Sequence, residues 1–248
     1  MFGHLPVAFD SASLAEGDRF GFAREEYGLK VLNVDLSVPA GTPFHLRMGG
    51  ASYGDVRVAV IRGTPYRVAR TRSLAADGDD RLGLVFPLEG RFGGEQHGRA
   101  VAARRGEAAV TQGDRAGHFG TDTGGAFLTI RVPPPLVRAH ENGRGAIAPG
   151  ATARPSRLAL DLIRGYLAAF NRSEEEPSPE MRALAGRHLA ELAVHAFLGG
   201  RPDARRGSPQ PGPTWRRTSP IRGTASRRAR GISASRSAIC RPSSAAKA

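Results

Sequence analysis

The chain has 248 residues, enough for one large domain with a sizeable core, and its single cysteine, Cys240, excludes an intramolecular disulfide. The formal net charge is +13, which would suit a nucleic-acid-binding protein. However, residues 201–248 hold 12 Lys+Arg and one Asp, a net of +11, so the first 200 residues are almost neutral at +2.

Residues 1–28 are predicted to form an N-terminal arm, or a short helix that packs on the body of the protein. The segment from Met1 to Pro6 lacks the basic stretch and apolar run of a signal peptide. No window of the chain reaches the ~18 consecutive apolar residues that a membrane helix needs. We therefore expect a cytoplasmic protein with no membrane partner.

Short segments with alternating apolar residues fill residues 29–140. Alternation is typical of half-buried strands, with one face on a core and the other toward water. Glycine or aspartate turns punctuate these segments roughly every ten residues, which favours seven to nine strands in a cupin-like jelly-roll barrel. The clearest alternating sets are Leu32-Val34-Leu36-Val38, Phe44-Leu46-Met48 ending at Gly49-Gly50, Val56-Val58-Val60, Leu82-Leu84-Phe86-Leu88 and Ala126-Leu128-Ile130-Val132.

Helical spacing replaces alternation after Pro133-Pro134-Pro135, which ends the last predicted strand, and a glycine-rich link. Residues 151–200 predict an antiparallel hairpin of two amphipathic helices. The second helix has Ser178 as its N-cap, Pro179 in the first helical position and Gly199-Gly200 as its stop. One face of this helix carries the predicted dimerisation stripe: Met181, Leu184, His188, Leu192, His195 and Leu198.

Residues 201–248 differ in kind from the rest of the chain. They include 11 Arg and 8 Ser and contain no Leu, Val or Phe. Such a segment buries too little apolar surface to offset the entropy of ordering, so we expect a disordered basic tail. The predicted fold class is thus mainly β with C-terminal helices.

The predicted barrel shows no set of metal ligands and no catalytic residues. His45, His97 and His118 lie on separate segments without a His-x-His motif, whereas a zinc or iron site needs three or four converging ligands. Asp77, Asp79 and Asp80 fit a solvated turn better than a calcium loop. The sequence also lacks a Gly-x-Ser-x-Gly nucleophile motif, so no metal, cofactor or catalytic residue is predicted.

Several short motifs in the predicted barrel together resemble the N-terminal effector-sensing domain of AraC-type transcription regulators. The resemblance covers roughly Val31 to Leu198. The pair Gly98-Arg99 is interpreted first as a hairpin turn in which Gly98 supplies a positive φ angle, and Arg99 is given no ligand role. The matching pieces are Arg70-Thr71, the strand Leu82–Leu88 ending at Gly90, Gln96-x-Gly98-Arg99, the turn at Gly106-Glu107, and Leu128-x-Ile130-Arg131-Val132-Pro133.

This resemblance implies a cupin-like barrel that binds a small effector of unknown identity, followed by helices that form a homodimer. The candidate lining comes from the inward residues of the strands that contain Phe44, Val58 and Leu84. In the family a C-terminal domain of about a hundred residues with two helix-turn-helix units binds DNA. No such pattern follows Gly200, so we expect a truncated or frameshifted regulator without specific DNA binding.

Two alternatives to a truncated regulator stay open. The first is a cupin-type metalloenzyme that uses His97 or His45. The second is an inhibitor that dimerises with intact regulators through the stripe from Met181 to Leu198.

Overall fold

The structure is a computed structural model that describes residues 5–141, 147–173 and 175–199. The predicted disordered tail at 201–248 lies outside the described residues, as do residues 1–4 of the predicted arm. The expectations of a frameshift and of lost DNA binding concern that tail, and they stay predictions.

The described residues form a mostly antiparallel β structure with helices after it, as predicted. The helices are α1 (Glu16–Phe22), α2 (Pro134–Glu141), α3 (Arg157–Arg172) and α4 (Pro179–Leu198), joined by a π-helix at Ala23–Leu32 and 3-10 turns at Ser11–Ser13 and Leu74–Asp77. The strands are β1 (Val7–Asp10), β2 (Asp35–Ser37), β3 (Leu46–Tyr53), β4 (Val56–Gly63), β5 (Tyr66–Arg70), β6 (Leu82–Gln96), β7 (Arg99–Arg104), β8 (Ala108–Gln112), β9 (Gly117–Thr121), β10 (Gly125–Val132) and β11 (Thr152–Ala153).

Strand β6 belongs to two sheets, and these curl into a half-barrel of the cupin-like kind. Its first half pairs with β10 and β8 in a sheet that continues through β4, β3 and β1. Its second half pairs with β7 and β9, and β9 continues to β5 and β2. Gly90 marks the bend between the halves with φ +74°, and a Cβ there would lie 2.3 Å from the Gly124 carbonyl oxygen.

The main core lies between the first sheet and the C-terminal helices. Leu84 and Ile130 are fully buried there against α4 residues such as Leu189 and Val194. The first half of β6 is buried on both faces, from Gly83 to Pro87. The prediction that its second face meets water was therefore wrong, since that face encloses the interior of the half-barrel.

The N-terminal segment is integrated into the fold more fully than the predicted arm. Strand β1 pairs with β3, and the Gly50 N–H donates to the Pro6 carbonyl at 2.9 Å. The glycine pair Gly49-Gly50 does not end β3, which continues to Tyr53. The missing side chain at Gly49 instead lets the chain at Leu5 approach the strand closely. A second cluster packs Phe9, Phe20, Phe22 and Tyr27 against β3 and β5 residues.

The predicted strand from Leu29 to Val38 is helical in its first four residues and extended only at Asp35–Ser37. The π-helix runs to Leu32 and ends where Asn33 adopts a left-handed conformation with φ 50°, so β2 begins only at Asp35. A π-helix is rare and gives no simple alternation or helical period in the sequence. The apolar residues of this segment therefore imitate a strand pattern.

The helical hairpin forms, and Ser178 caps its second helix as predicted, while Gly200 of the predicted stop lies outside the described residues. The Ser178 side chain accepts from the Met181 N–H at 3.2 Å, and the Ser156 N–H donates to the Ala196 carbonyl at 2.8 Å. Tyr166 and His188 also meet at 3.1 Å, so α3 and α4 run antiparallel. Helix α2 begins within the proline run that was predicted only to end a strand, and it packs on α4.

Candidate functional site

The candidate site is a cavity of about 210 Å³ between the two sheets of the half-barrel. Its wall is predominantly apolar, with polar groups confined to a few positions. Apolar cavities with a few convergent polar groups are the usual small-molecule sites. The wall includes Leu32, Val34, Met48, Gly50, Arg57, Ala59, Ile61, Tyr66, Val68, Arg70, Val85, Phe92, Thr111, Phe119, Phe127, Thr129 and Arg131.

Along the paired strands β4 and β10, the residues that line this wall change from apolar to cationic. Ile61 pairs with Phe127, Ala59 with Thr129 and Arg57 with Arg131, and all six residues line the cavity. Alternate residues of a strand point to the same face, and each step of two residues advances about 6.6 Å. The cavity thus has an aromatic end and an arginine end, roughly 13 Å apart along the strands.

Three phenylalanines build the aromatic end. Phe92 stacks on Phe119 with ring centroids 5.5 Å apart and meets Phe127 edge-on at 6.0 Å. Tyr66 is buried in the same wall, and its burial raises the pKa of the phenol well above its usual value. Within the described residues the Tyr66 hydroxyl makes no hydrogen bond.

Asp79 organises the arginine end. Arg131 Nη1 donates to Asp79 Oδ2 at 3.0 Å, and Arg81 Nη1 donates to Asp79 Oδ1 at 2.9 Å. Arg57 Nη1 lies 3.9 Å from Asp79 Oδ2. One carboxylate, only 11% exposed, therefore serves three guanidinium groups, so the predicted solvated turn at Asp79 is in fact a partly buried charge centre.

The charged groups at the arginine end shift one another's pKa values. Burial by itself would raise the pKa of Asp79, but the charges of Arg131 and Arg81 and their hydrogen bonds override it and lower the pKa. Burial lowers the pKa of Arg131, Asp79 partly offsets that effect, and Arg70 and Arg57 lower it further. An additional anion at this end would relieve the repulsion between the arginines.

Arg70, predicted as a family-motif residue, forms a structural link beside this end. Its Nε donates to the Gly113 carbonyl, and its Nη1 donates to the Asn33 carbonyl at 2.8 Å. Its Nη2 donates to Asp77 Oδ1 at 2.6 Å. One buried side chain thus joins the end of the π-helix to the loop after β8 and to the Leu74–Asp77 turn.

The structure places one of the three candidate lining residues in the cavity wall and the other two elsewhere. Val58 contributes to the cavity wall, but Phe44 packs with the N-terminal aromatic cluster and Leu84 packs under the helices. On β4, β6 and β10 the cavity is lined mainly by the positions between the predicted ones. The most apolar face of these strands lies under the helices, while the cavity face also carries Arg, Thr and Ala.

The other motif residues mostly shape turns and loops. Thr71 Oγ1 accepts from the Leu74 N–H at 3.2 Å, and Gln96 is buried against the loop after β8. Gly98 and Gly106 have φ angles of +67° and +85°, which confirms the predicted positive φ of Gly98. Arg99 is exposed at the start of β7.

The residues of the predicted dimerisation stripe lie along the edge of the buried face of α4, where they range from exposed to partly buried. Met181 is 49% exposed, whereas Leu192 and Leu198 pack against the main core. Leu184 and His195 are half-buried, and His188 is exposed beside Tyr166. The most exposed leucines of the hairpin lie on α3 instead, where Leu158 is 70% and Leu162 is 51% exposed.

No three His, Cys, Asp or Glu side chains come together as a metal site anywhere in the described ranges. His45 is engaged by Ser11, with Nδ1 and Oγ 3.1 Å apart, while His97 occupies the exposed turn before β7. A larger groove of about 1070 Å³ lies outside the sheet beside α3. It carries charges of both signs, such as the exposed Arg62–Glu89 pair, so the predominantly apolar cavity between the sheets is the better ligand site.

None of the described helices is long and apolar enough to cross a membrane. A search of curated proteins found no match.

The fold is similar to that of a known regulator, and two further structures match smaller parts of the chain with lower scores. The AraC-like transcriptional activator CuxR superposes with a TM-score of 0.58 at 18% identity, over 80% of this chain and 72% of that chain. The ethanolamine utilization protein Q of Salmonella typhimurium gives 0.31 at 16% identity, over 40% and 79%. An RmlC-like cupin from Shewanella frigidimarina gives 0.27 at 14% identity, over 43% and 87%.

A family comparison covers most of the chain. Residues 23–198 match the model of the AraC-binding-like domain, a span that includes every element lining the cavity and both helices of the hairpin. The chain therefore belongs to the AraC-binding-like domain family, and its described part is a sensing domain of the regulator type.

Proposed function

We propose that the chain senses a small molecule for an AraC-type regulator and binds this effector in the cavity between the two sheets. The observation that carries this proposal is the cavity wall formed by β4 and β10, whose paired residues change from apolar to cationic along the strands. Residues 29–140 would form the sensor, and residues 151–200 the dimerisation hairpin. No catalytic step is assigned to the cavity.

Contacts of the N-terminal segment support a route for the signal. Leu32 and Val34, at the end of the π-helix, line the cavity, and Arg70 holds the Asn33 carbonyl. An effector that contacts these residues would favour one position of the N-terminal segment over others, because a ligand shifts a population toward the state that it binds better.

The helices lie on the opposite side of the same strands. Leu128 and Ile130 of β10 pack under α4, while Thr129 and Arg131 between them face the cavity. A small shift of β10 on effector binding would therefore reach the hairpin directly, and through it a second copy of the chain. The exposed Leu158 and Leu162 favour α3 as part of that dimer surface.

The proposal is tested by filling the cavity with a larger side chain. Ala59→Phe should abolish stabilisation of the protein by small molecules selected from a library by thermal shift, because Ala59 lies midway along the wall. Ala102→Phe is the matched control, since Ala102 is exposed on β7. Ligands that stabilise wild type and Ala59→Phe equally would show that they bind elsewhere, provided that circular dichroism shows both variants folded.

A further inference from the structure

Two arginines of the cavity wall, Arg57 and Arg131, face each other and share a single carboxylate, that of Asp79. Arg57 and Arg131 are directly paired residues of neighbouring antiparallel strands, and both line the cavity. Like charges at directly opposite positions destabilise a sheet. Asp79 is shared with Arg81 as well, so three cations meet one carboxylate at this end.

Both arginines keep donors unused. A guanidinium has five N–H donors. Arg131 uses one of them, on Asp79, and Arg57 makes no hydrogen bond to any part of the chain that the structure describes. Arg70 differs, because three of its nitrogens already bind Gly113, Asn33 and Asp77. The spare donors and spare positive charge therefore belong to Arg57 and Arg131.

The rest of the cavity wall is suited to the apolar part of a ligand. From the arginine pair the cavity passes Ala59 and Thr129 to Ile61 and Phe127, where Phe92 and Phe119 complete an aromatic end. A cavity of about 150 Å³ already holds a benzene ring. The 210 Å³ here leaves room for one ring or a short alkyl chain plus one charged group.

Building on the proposed sensing function, we propose that the effector is a small organic acid. Its carboxylate binds Arg57 and Arg131, and its apolar body extends past Thr129 toward Phe127. Arg57 and Arg131 would then determine specificity for an anion over a neutral molecule of the same shape.

Matched pairs of probes test this assignment on the full-length chain. Benzoate, phenylacetate and hexanoate are compared by calorimetry at pH 7 with benzamide, phenylacetamide and hexanamide, which keep the shape and remove the charge. At least one acid should bind about ten- to a hundredfold more tightly than its amide, the effect of hydrogen bonds to a charged group. Arg57→Gln and Arg131→Gln should remove that advantage.

Two further variants control for indirect effects. Arg62→Gln removes the same charge from β4 but outside the cavity, where Arg62 pairs with Glu89, so it should leave the preference intact. Arg131→Lys keeps a cation beside Asp79 in case Arg131→Gln does not fold, and it should retain part of the preference for the acid.

The outcomes separate this inference from the proposed function. If amides bind as tightly as acids and Ala59→Phe blocks both, the cavity is the effector site but the inference of an anionic effector is overturned. Acids that bind equally well to Arg57→Gln and Arg131→Gln would overturn it too. If no acid or amide binds, the inference is overturned as well, and a library ligand blocked by Ala59→Phe would still support the proposed function.

Discussion

Gln96 binds the backbone of Gln112 as a neighbouring strand residue would. The Gln112 N–H donates to Gln96 Oε1 at 2.8 Å, and Gln96 Nε2 donates to the Gln112 carbonyl at 2.9 Å. The same Nε2 reaches the Arg115 carbonyl at 3.1 Å. One buried side chain thus anchors the β8–β9 loop to the end of β6, beside the loop residue Gly113 that Arg70 holds.

Replacing Gln96 should destabilise the protein markedly. Gln96→Ala leaves a backbone N–H and two carbonyls without their partner, and we expect a loss of about 2–4 kcal/mol in the free energy of unfolding. Chemical denaturation measures it. Gln112→Ala is the control, because it removes a side chain and keeps the backbone groups that Gln96 binds; equal losses in the two variants would contradict this account.

Acid should unfold the protein partly through Asp79. Its pKa lies below the ordinary 3.8, so between the two values the unfolded chain binds more protons and stability falls as pH is lowered. The contribution is complete above about pH 5 and is lost as pH falls through 3.8 toward the folded pKa. Asp79→Asn should be less stable than wild type at about pH 6, and the gap between their melting temperatures should narrow toward about pH 3.

Gly90 should tolerate alanine far less well than Gly106. Both have positive φ, so each substitution carries a conformational penalty of about 1–2 kcal/mol. A Cβ at Gly106 meets nothing within 4 Å, whereas one at Gly90 would lie 2.3 Å from the Gly124 carbonyl oxygen. Thermal unfolding should show a clearly larger loss for Gly90→Ala; similar losses would mean that the bend of β6 adapts easily.

The oligomeric state should respond to the exposed face of α3. Leu162 is half exposed, so Leu162→Glu should leave the fold intact and convert a dimer to a monomer in light scattering after size exclusion. Val7→Glu changes a similarly exposed apolar residue on β1 and should have no such effect. A wild-type protein that is monomeric at high concentration would refute dimerisation.

The alternation of apolar residues and the presence of capping residues predicted much of the fold, because both patterns are visible over a few neighbouring residues. The strands around Val58, Leu84 and Leu128, the Ser178 cap and the Gly98 turn all depend on residues close together in the sequence. Helix α2 was missed because its prolines also fit the end of a strand. The segment before Asn33 was misread because a π-helix has no familiar period.

The site was harder to predict, because a strand buried on both faces does not show which face encloses a ligand. The Leu84 face is the more apolar one and was assigned to the barrel interior, although it lies under the helices. The signal that would have located the cavity was Arg57 and Arg131, two charges on otherwise buried strands. Their partner Asp79 lies far away in sequence, so the cluster appears only in three dimensions.

Alternation along β4 and β10 has a consequence for how such a sensor can be changed. Odd-numbered residues from Arg57 to Ile61 and from Phe127 to Arg131 line the cavity, while Val60, Leu128 and Ile130 between them support the helices and Val58 contributes to both. The cavity wall and the helix docking surface are therefore largely formed by interleaved positions of the same two strands. We expect that substitutions at the odd positions would change the cavity wall and leave most of the docking surface untouched.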